Sequence, residues 1–212
     1  MIWRRKKWKT NKELNQNIDA VILAGGKNHR FQGKHKSLAL LKGKSILQHQ
    51  LDLLKPIFSD IILVSNHKEE FSAFSNIKVI ADLIPDKGPL SGIHAGLETS
   101  RKPYTFVFAG DMPFLDKNLI NQQIKIIERA CYDAVIPETS KGIEPLHGIY
   151  SKNNKAILTK ILKRQDIYPV KELLFKNATY YWKIAFQKAF ININTPEELD
   201  RLNNDRLDHT EQ

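Results

Sequence analysis

The stretch from Ile18 to Lys36, IDAVILAGGKNHRFQGKHK, constrains the fold more than any other. It opens with an apolar run, Val21-Ile22-Leu23, of the kind that forms a strand buried on both faces of a parallel sheet. The run breaks at Gly25-Gly26, where the backbone can turn sharply and lie against a ligand. Lys27, Arg30 and Lys36 then bring positive charge into the loop. A buried strand that ends in glycines and a cationic loop suits phosphate, because backbone N–H groups and cationic side chains converge there. The same residues also read as an ordinary strand, glycine turn and solvated basic loop, since short motifs carry a real false-positive rate. The dinucleotide fingerprint G-x-G-x-x-G and the phosphate loop G-x-x-x-x-G-K-[ST] are excluded, because Gly25-Gly26-Lys27-Asn28-His29-Arg30 fits neither.

Strand and helix alternate along most of the remaining chain, the pattern of a mainly parallel sheet. A helix is predicted over residues 45–56, with Ile46, Leu47, Leu51 and Leu54 on one face. Buried strands are predicted at 61–64 and 77–81, and a central one at 105–108. Residues 118–130 read as an amphipathic helix and 133–137 as a strand. A polar, mobile loop is expected over 138–144, then a strand at 145–150, helices at 153–164 and 169–175, and an edge strand at 180–184. The expected fold is α/β: a single-domain, Rossmann-like three-layer sandwich with a mainly parallel mixed sheet, over residues 18–205.

Charge is unevenly placed. Of the net +10, Arg4, Arg5, Lys6, Lys7, Lys9 and Lys12 supply six, with no acid among residues 1–12. The rest of the chain, at +4, is mildly basic and suits anionic small molecules. Residues 1–17 read as a disordered basic tail; a nucleic-acid arm, or residues upstream of the true start, are the other readings. No apolar run follows it as in a secretory signal, and no segment has the roughly 18 apolar residues of a membrane span. Cys131 is the only cysteine, which excludes an intrachain disulfide and a thiolate metal cluster. A cytoplasmic protein with no membrane partner is expected.

Polar residues recur where strands end, which is where ligands bind in open α/β sheets. Asn66 follows one strand and reads either as a nucleoside contact or as a helix cap. Asp82 follows another and leads into Gly88-Pro89-Leu90-Ser91-Gly92; Gly92 and Gly96 each cost a helix about 1 kcal/mol relative to alanine. Asp111, in Ala109-Gly110-Asp111-Met112-Pro113, follows the central strand. Its carboxylate suits Mg2+, which takes hard oxygen ligands together with substrate phosphates; the alternative is a cap for the next helix. His147, alone in an apolar strand, reads as structural. Near the end, Asn192 and Asn194 alternate with Ile191 and Ile193, as on one side of a strand. Thr195 or Asn194 is placed to cap a last helix with Pro196 in its first turn.

These motifs occur in the order found in the molybdenum cofactor guanylyltransferases. The chain resembles that family through Leu23-Ala24-Gly25-Gly26, the segment from Asp82 to Gly92, Asp111-Met112-Pro113, and Asn192 to Leu199. The resemblance covers Asp19 to about Leu202 and implies the nucleotidyltransferase fold. It implies transfer of GMP from GTP to the molybdenum–molybdopterin cofactor, with release of pyrophosphate. It further implies GTP contacts from Leu23, Ala24, Gly25, Gly26, Lys36, Asn66, Asp82 and Asp111. Lys36, Asp111 and Arg30 would be catalytic, Asp111 would hold Mg2+, and Asn192 and Asn194 would bind the pterin. A monomer is expected, with cofactor-biosynthesis proteins and recipient molybdoenzymes as further partners and no nucleic acid.

Two positions depart from the family pattern: His35 stands where an acidic residue precedes the loop lysine, and Phe31 replaces a methionine. The first removes a negative charge beside Lys36. Rival readings are a molybdopterin cytidylyltransferase, a sugar-phosphate nucleotidyltransferase, and a catalytically impaired nucleotide-binding protein.

Overall fold

The structure is a computed structural model that describes residues 15–25 and 35–204. Gly26, Arg30, Phe31 and residues 1–14 of the predicted tail lie outside the described residues. The last residues of that tail, Asn15–Asn17, form a 3-10 turn that leads into β1 (Ile18–Leu23).

The seven-strand path of the main sheet runs β10-β7-β9-β6-β1-β4-β5. Its members are β1, β4 (Ile61–Val64), β5 (Lys78–Ile80), β6 (Tyr104–Ala109), β7 (Ala134–Thr139), β9 (His147–Ser151) and β10 (Thr179–Lys183). β1 pairs in parallel with β6 and β4, β4 with β5, and β10 with β7. Only β9 on this path runs against its neighbours, β6 and β7. β6 lies at the middle, as its apolar sequence predicts, and β10 is an edge.

Helices cover both faces because β1 and β6 are apolar on both. Ile18, Ala20 and Ile22 of β1 pack on one side with α1 (Ile46–Leu54) and α3 (Lys117–Arg129). Val21 packs on the other with α2 (Pro89–Thr99), α4 (Asn154–Leu162) and α5 (Lys171–Leu174). This is the expected three-layer α/β sandwich with a mainly parallel mixed sheet. Alternation puts the acidic Asp19 inside, where it accepts a 2.6 Å hydrogen bond from the Ser100 hydroxyl. No helix among the described residues is long and apolar enough to cross a membrane.

Two expectations need correction. Residues 138–144 are a hairpin rather than a mobile loop: β7 runs to Thr139 and pairs antiparallel with β8 (Gly142–Ile143). Gly142 has φ of 119°, a backbone value that suits glycine. The second concerns 191–194, which are irregular rather than a strand. Ile193 is buried against Leu41 and Ile46, and its N–H bonds the Asp111 carbonyl at 2.9 Å instead of a neighbouring strand. α6 (Pro196–Asn204) follows; Thr195 Oγ1 accepts from the Glu198 N–H, and the Glu198 carboxylate accepts from Thr195 and Asn194 N–H. That reciprocal capping pattern fixes where the helix starts.

Candidate active site

A cleft of about 770 Å³ opens along the C-terminal edge of the sheet. Parallel strands place their ends there together, so residues distant in sequence share one wall. Leu23, Ala24 and Gly25 continue from β1, Ser65 and Asn66 from β4, Asp82 from β5, and Gly110 and Asp111 from β6. Among the described residues nothing lies within 4 Å of a Cβ added at Gly25, whereas one added at Gly110 would meet the Leu23 carbonyl at 2.9 Å. Gly25 thus leaves room on the ligand side, and Gly110 lets β6 and β1 close up behind it. The Gly110 N–H bonds that same carbonyl at 2.9 Å.

At one end of the cleft, Lys36 reaches two partners. Its Nζ stands 3.4 Å from Asp111 Oδ2 and donates to Asn194 Oδ1 at 3.1 Å. Lys36 is placed by a 3-10 turn (Lys36–Leu38) and by the antiparallel hairpin of β2 (Leu40–Leu41) and β3 (Lys44–Ser45) that follows. Burial pushes the Asp111 carboxyl above its ordinary range, and the Lys36 ammonium opposes that shift. Asp111 does not cap the next helix: Asp116 does, accepting from the Leu119 N–H at 2.8 Å. A capping role therefore does not account for Asp111.

Further along, Asn66 and Asp82 hold each other. Asn66 Nδ2 donates to Asp82 Oδ2 at 3.0 Å, and the Asp82 N–H donates to Asn66 Oδ1 at 2.9 Å. The 3-10 turn Lys68–Phe71 starts after His67 without a side-chain cap, so Asn66 is not its cap. Desolvation raises the Asp82 pKa, the Asn66 bond opposes it, and Asp86 adds to the rise. α2 begins at the cleft with Gly88, whose φ of 66° and ψ of −153° suit glycine, and Pro89. Among the described residues no side chain caps this end, and with Gly88 and Pro89 lining the cleft the positive pole of the helix faces it.

The predicted residues divide as follows. Leu23, Ala24, Gly25, Lys36, Asn66, Asp82 and Asp111 all line the cleft. Asn194 joins them through Lys36 but does not line it, and Asn192 keeps a buried Oδ1 with no hydrogen-bond partner among the described residues. His147 is fully buried, with Gln123 at Nδ1, and lies outside the cleft.

Sequence reasoning passed over Gln50. This buried amide donates to the carbonyls of Ala109 at 2.7 Å and Met112 at 2.9 Å, bracing the turn that carries Asp111. The available signal was a glutamine on the apolar face of α1. It also missed the surroundings of His35, which is buried beside Glu70, His67 and Phe71. Burial lowers the His35 pKa, against the raising effect of Glu70, whose Oε1 lies 3.6 Å from Nε2.

Known proteins are similar to this chain in sequence and in fold. Residues 20–177 match the family described as MobA-like NTP transferase domain. A relative from Natranaerobius thermophilus named probable molybdenum cofactor guanylyltransferase is 34% identical over 197 residues, covering 89% of this chain and 96% of the relative. The molybdenum cofactor guanylyltransferase of Desulfosudis oleivorans is 32% identical over 190 residues, covering 87% and 93%. The crystal structure of molybdopterin-guanine dinucleotide biosynthesis protein A from Archaeoglobus fulgidus superposes with a TM-score of 0.74 at 26% identity, covering 87% of this chain and 96% of that one.

Proposed function

Because the chain belongs to the molybdenum cofactor guanylyltransferase family, within the MobA-like NTP transferases, we propose that it transfers GMP from GTP to the molybdenum–molybdopterin cofactor. The observation that carries the reading is the cluster of Lys36, Asp111 and Asn194 beside a glycine-lined cleft. It unites residues from the first loop, the central strand and the last motif.

The terminal phosphate of the pterin substrate attacks the α-phosphorus of GTP in line. A new P–O bond forms, the bond to the β-phosphate oxygen breaks, and pyrophosphate leaves. Catalysis by this chain is positioning and charge stabilisation, and a phosphate nucleophile needs no strong general base. Lys36, in the cleft, holds phosphate oxygens; Arg30 is assigned as a second cation. Leu23, Ala24, Gly25 and Gly26 shape the nucleotide pocket. Asp82, held by Asn66, contacts the nucleoside. Asn192 and Asn194 orient the pterin; the bond from Lys36 to Asn194 Oδ1 supports the role of Asn194.

The reaction uses a divalent metal, which we take to be Mg2+. Asp111 fits it, offering a hard carboxylate already drawn to the cationic Lys36. When bound, the ion neutralises the triphosphate and the leaving group. We place the enzyme in the cytoplasm as a monomer that passes its product toward molybdoenzymes.

The test is calorimetry with Mg2+ and GTP, CTP, ATP or UTP, followed by transfer assays. GTP should bind at least about tenfold more tightly than the others, about 1.4 kcal/mol. Lys36→Ala and Asp111→Asn should stay folded and lose roughly 100- to 1000-fold in transfer, the scale of a lost charge-stabilising group. Preference for CTP would overturn the base assignment. Near-normal turnover in either variant would overturn its role.

A further inference from the structure

We propose that His35, His67 and Glu70 form a second metal site, for a first-row transition ion such as Zn2+, separate from Asp111. Each residue offers a ligand atom, and these atoms lie within 4.8 Å of one another. The chain brings them together from two segments. His35 immediately precedes the turn that places Lys36, while His67 and Glu70 belong to the turn after β4.

His35 is the fixed member. It is 3% exposed, its ring packs 5.2 Å from Phe71, and its buried Nε2 has no hydrogen-bond partner among the described residues. That nitrogen lies 3.6 Å from Glu70 Oε1, beyond hydrogen-bonding distance. In the tautomer that carries its proton on Nδ1, this buried nitrogen offers a lone pair beside a carboxylate and a second imidazole, and a bound cation would satisfy it. The other two ligands have room to adjust. The His67 side chain is 59% exposed and that of Glu70 is 30% exposed, and the two imidazole centroids are 5.1 Å apart. At Zn–N lengths of about 2.0–2.1 Å, tetrahedral ligands stand roughly 3.3 Å apart, so side-chain movement on the order of 1 Å closes the site.

The donor set selects the ion. Two imidazoles and one carboxylate suit Zn2+ and its neighbours, whereas Mg2+ requires oxygen ligands. Three protein ligands leave a fourth position for water. Such an ion would link the backbone just before Lys36 to the segment after β4, and His35 and His67 both line the cleft.

The experiment titrates Zn2+ into the full chain by calorimetry, after chelator treatment and with excess Mg2+ present. One Zn2+ per chain should bind with a Kd below about 1 µM. His67→Ala and Glu70→Gln should each weaken it by roughly 10-fold or more, about 1.4 kcal/mol, with unchanged circular dichroism. Asp111→Asn should bind Zn2+ as the parent does. Co2+ in place of Zn2+ should give the visible spectrum of a tetrahedral site, lost in His67→Ala. Weaker binding by the parent, binding that survives His67→Ala, or equal loss in Asp111→Asn overturns the proposal. Neither GTP nor pterin enters this measurement, so its failure is distinct from failure of the guanylyl-transfer reading.

Discussion

Among single residues, His147 shows how burial separates structural histidines from chemical ones. Its ring lies 5.2–5.4 Å from those of Phe106, Phe108 and Phe190, edge to face, and Gln123 satisfies one nitrogen. Desolvation lowers its pKa to about 4, while an unfolded histidine titrates near 6.5. Between those values the unfolded chain holds a proton that the native chain does not. Stability is therefore full above pH 6.5 and falls on acidification toward pH 4, by about 3 kcal/mol from this residue. His35 and His94, also lowered by burial, act in the same sense. Urea midpoints measured from pH 7 to 4.5 should fall steeply in the parent and less steeply in His147→Leu. An identical slope would show that His147 does not titrate in this way. The structural role of His147 was legible from its apolar neighbours in sequence. The setting of His35 was not, because Glu70 and Phe71 are remote in the chain.

At the scale of elements, α2 and β1 depend on the glycines that cost the helix its local propensity. A Cβ at Gly96 would meet Val21 Cγ1 at 2.7 Å and Cγ2 at 2.9 Å, and one at Gly92 would meet Leu23 Cδ2 at 2.8 Å. Val21 is β-branched and locked in a central strand, so it cannot move aside. Leu23 meets the added atom with the far end of a flexible side chain, beside the cleft. Gly96→Ala gains about 1 kcal/mol of helix propensity but incurs overpacking of about 1–3 kcal/mol, for a net loss of up to about 2 kcal/mol. Gly92→Ala should cost less than about 1 kcal/mol by the same terms. Chemical denaturation of the two variants checks the order; a more stable Gly96→Ala would mean the contact relaxes. Sequence showed that these glycines oppose the helix, and only the packed sheet shows what they accommodate.

For the whole molecule, the cleft is a shared product of the ends of β1, β4, β5 and β6. A nucleotide that contacts Gly25, Lys36, Asp82 and Asp111 together binds only the folded chain. At 100 times its Kd, Mg-GTP should add about 2.7 kcal/mol of stability. For a chain of this length that corresponds to a rise of roughly 5–10 °C in Tm, at about 2–4 °C per kcal/mol. Thermal melts should show it in the parent, and less than half of it in Asp111→Asn at the same concentrations. An equal rise in both would remove Asp111 from the nucleotide site. The sequence by itself determined the seven strands on the main path of the sheet, the order of motifs and hence the family, because hydrophobic period is a local property. Tertiary structure alone decided that Lys36 meets Asn194 across 158 residues, that Asn66 holds Asp82, that Gln50 braces the Asp111 turn, and that His35 faces Glu70. Those meetings follow from sheet order and helix placement, which bring distant residues together without leaving a local pattern.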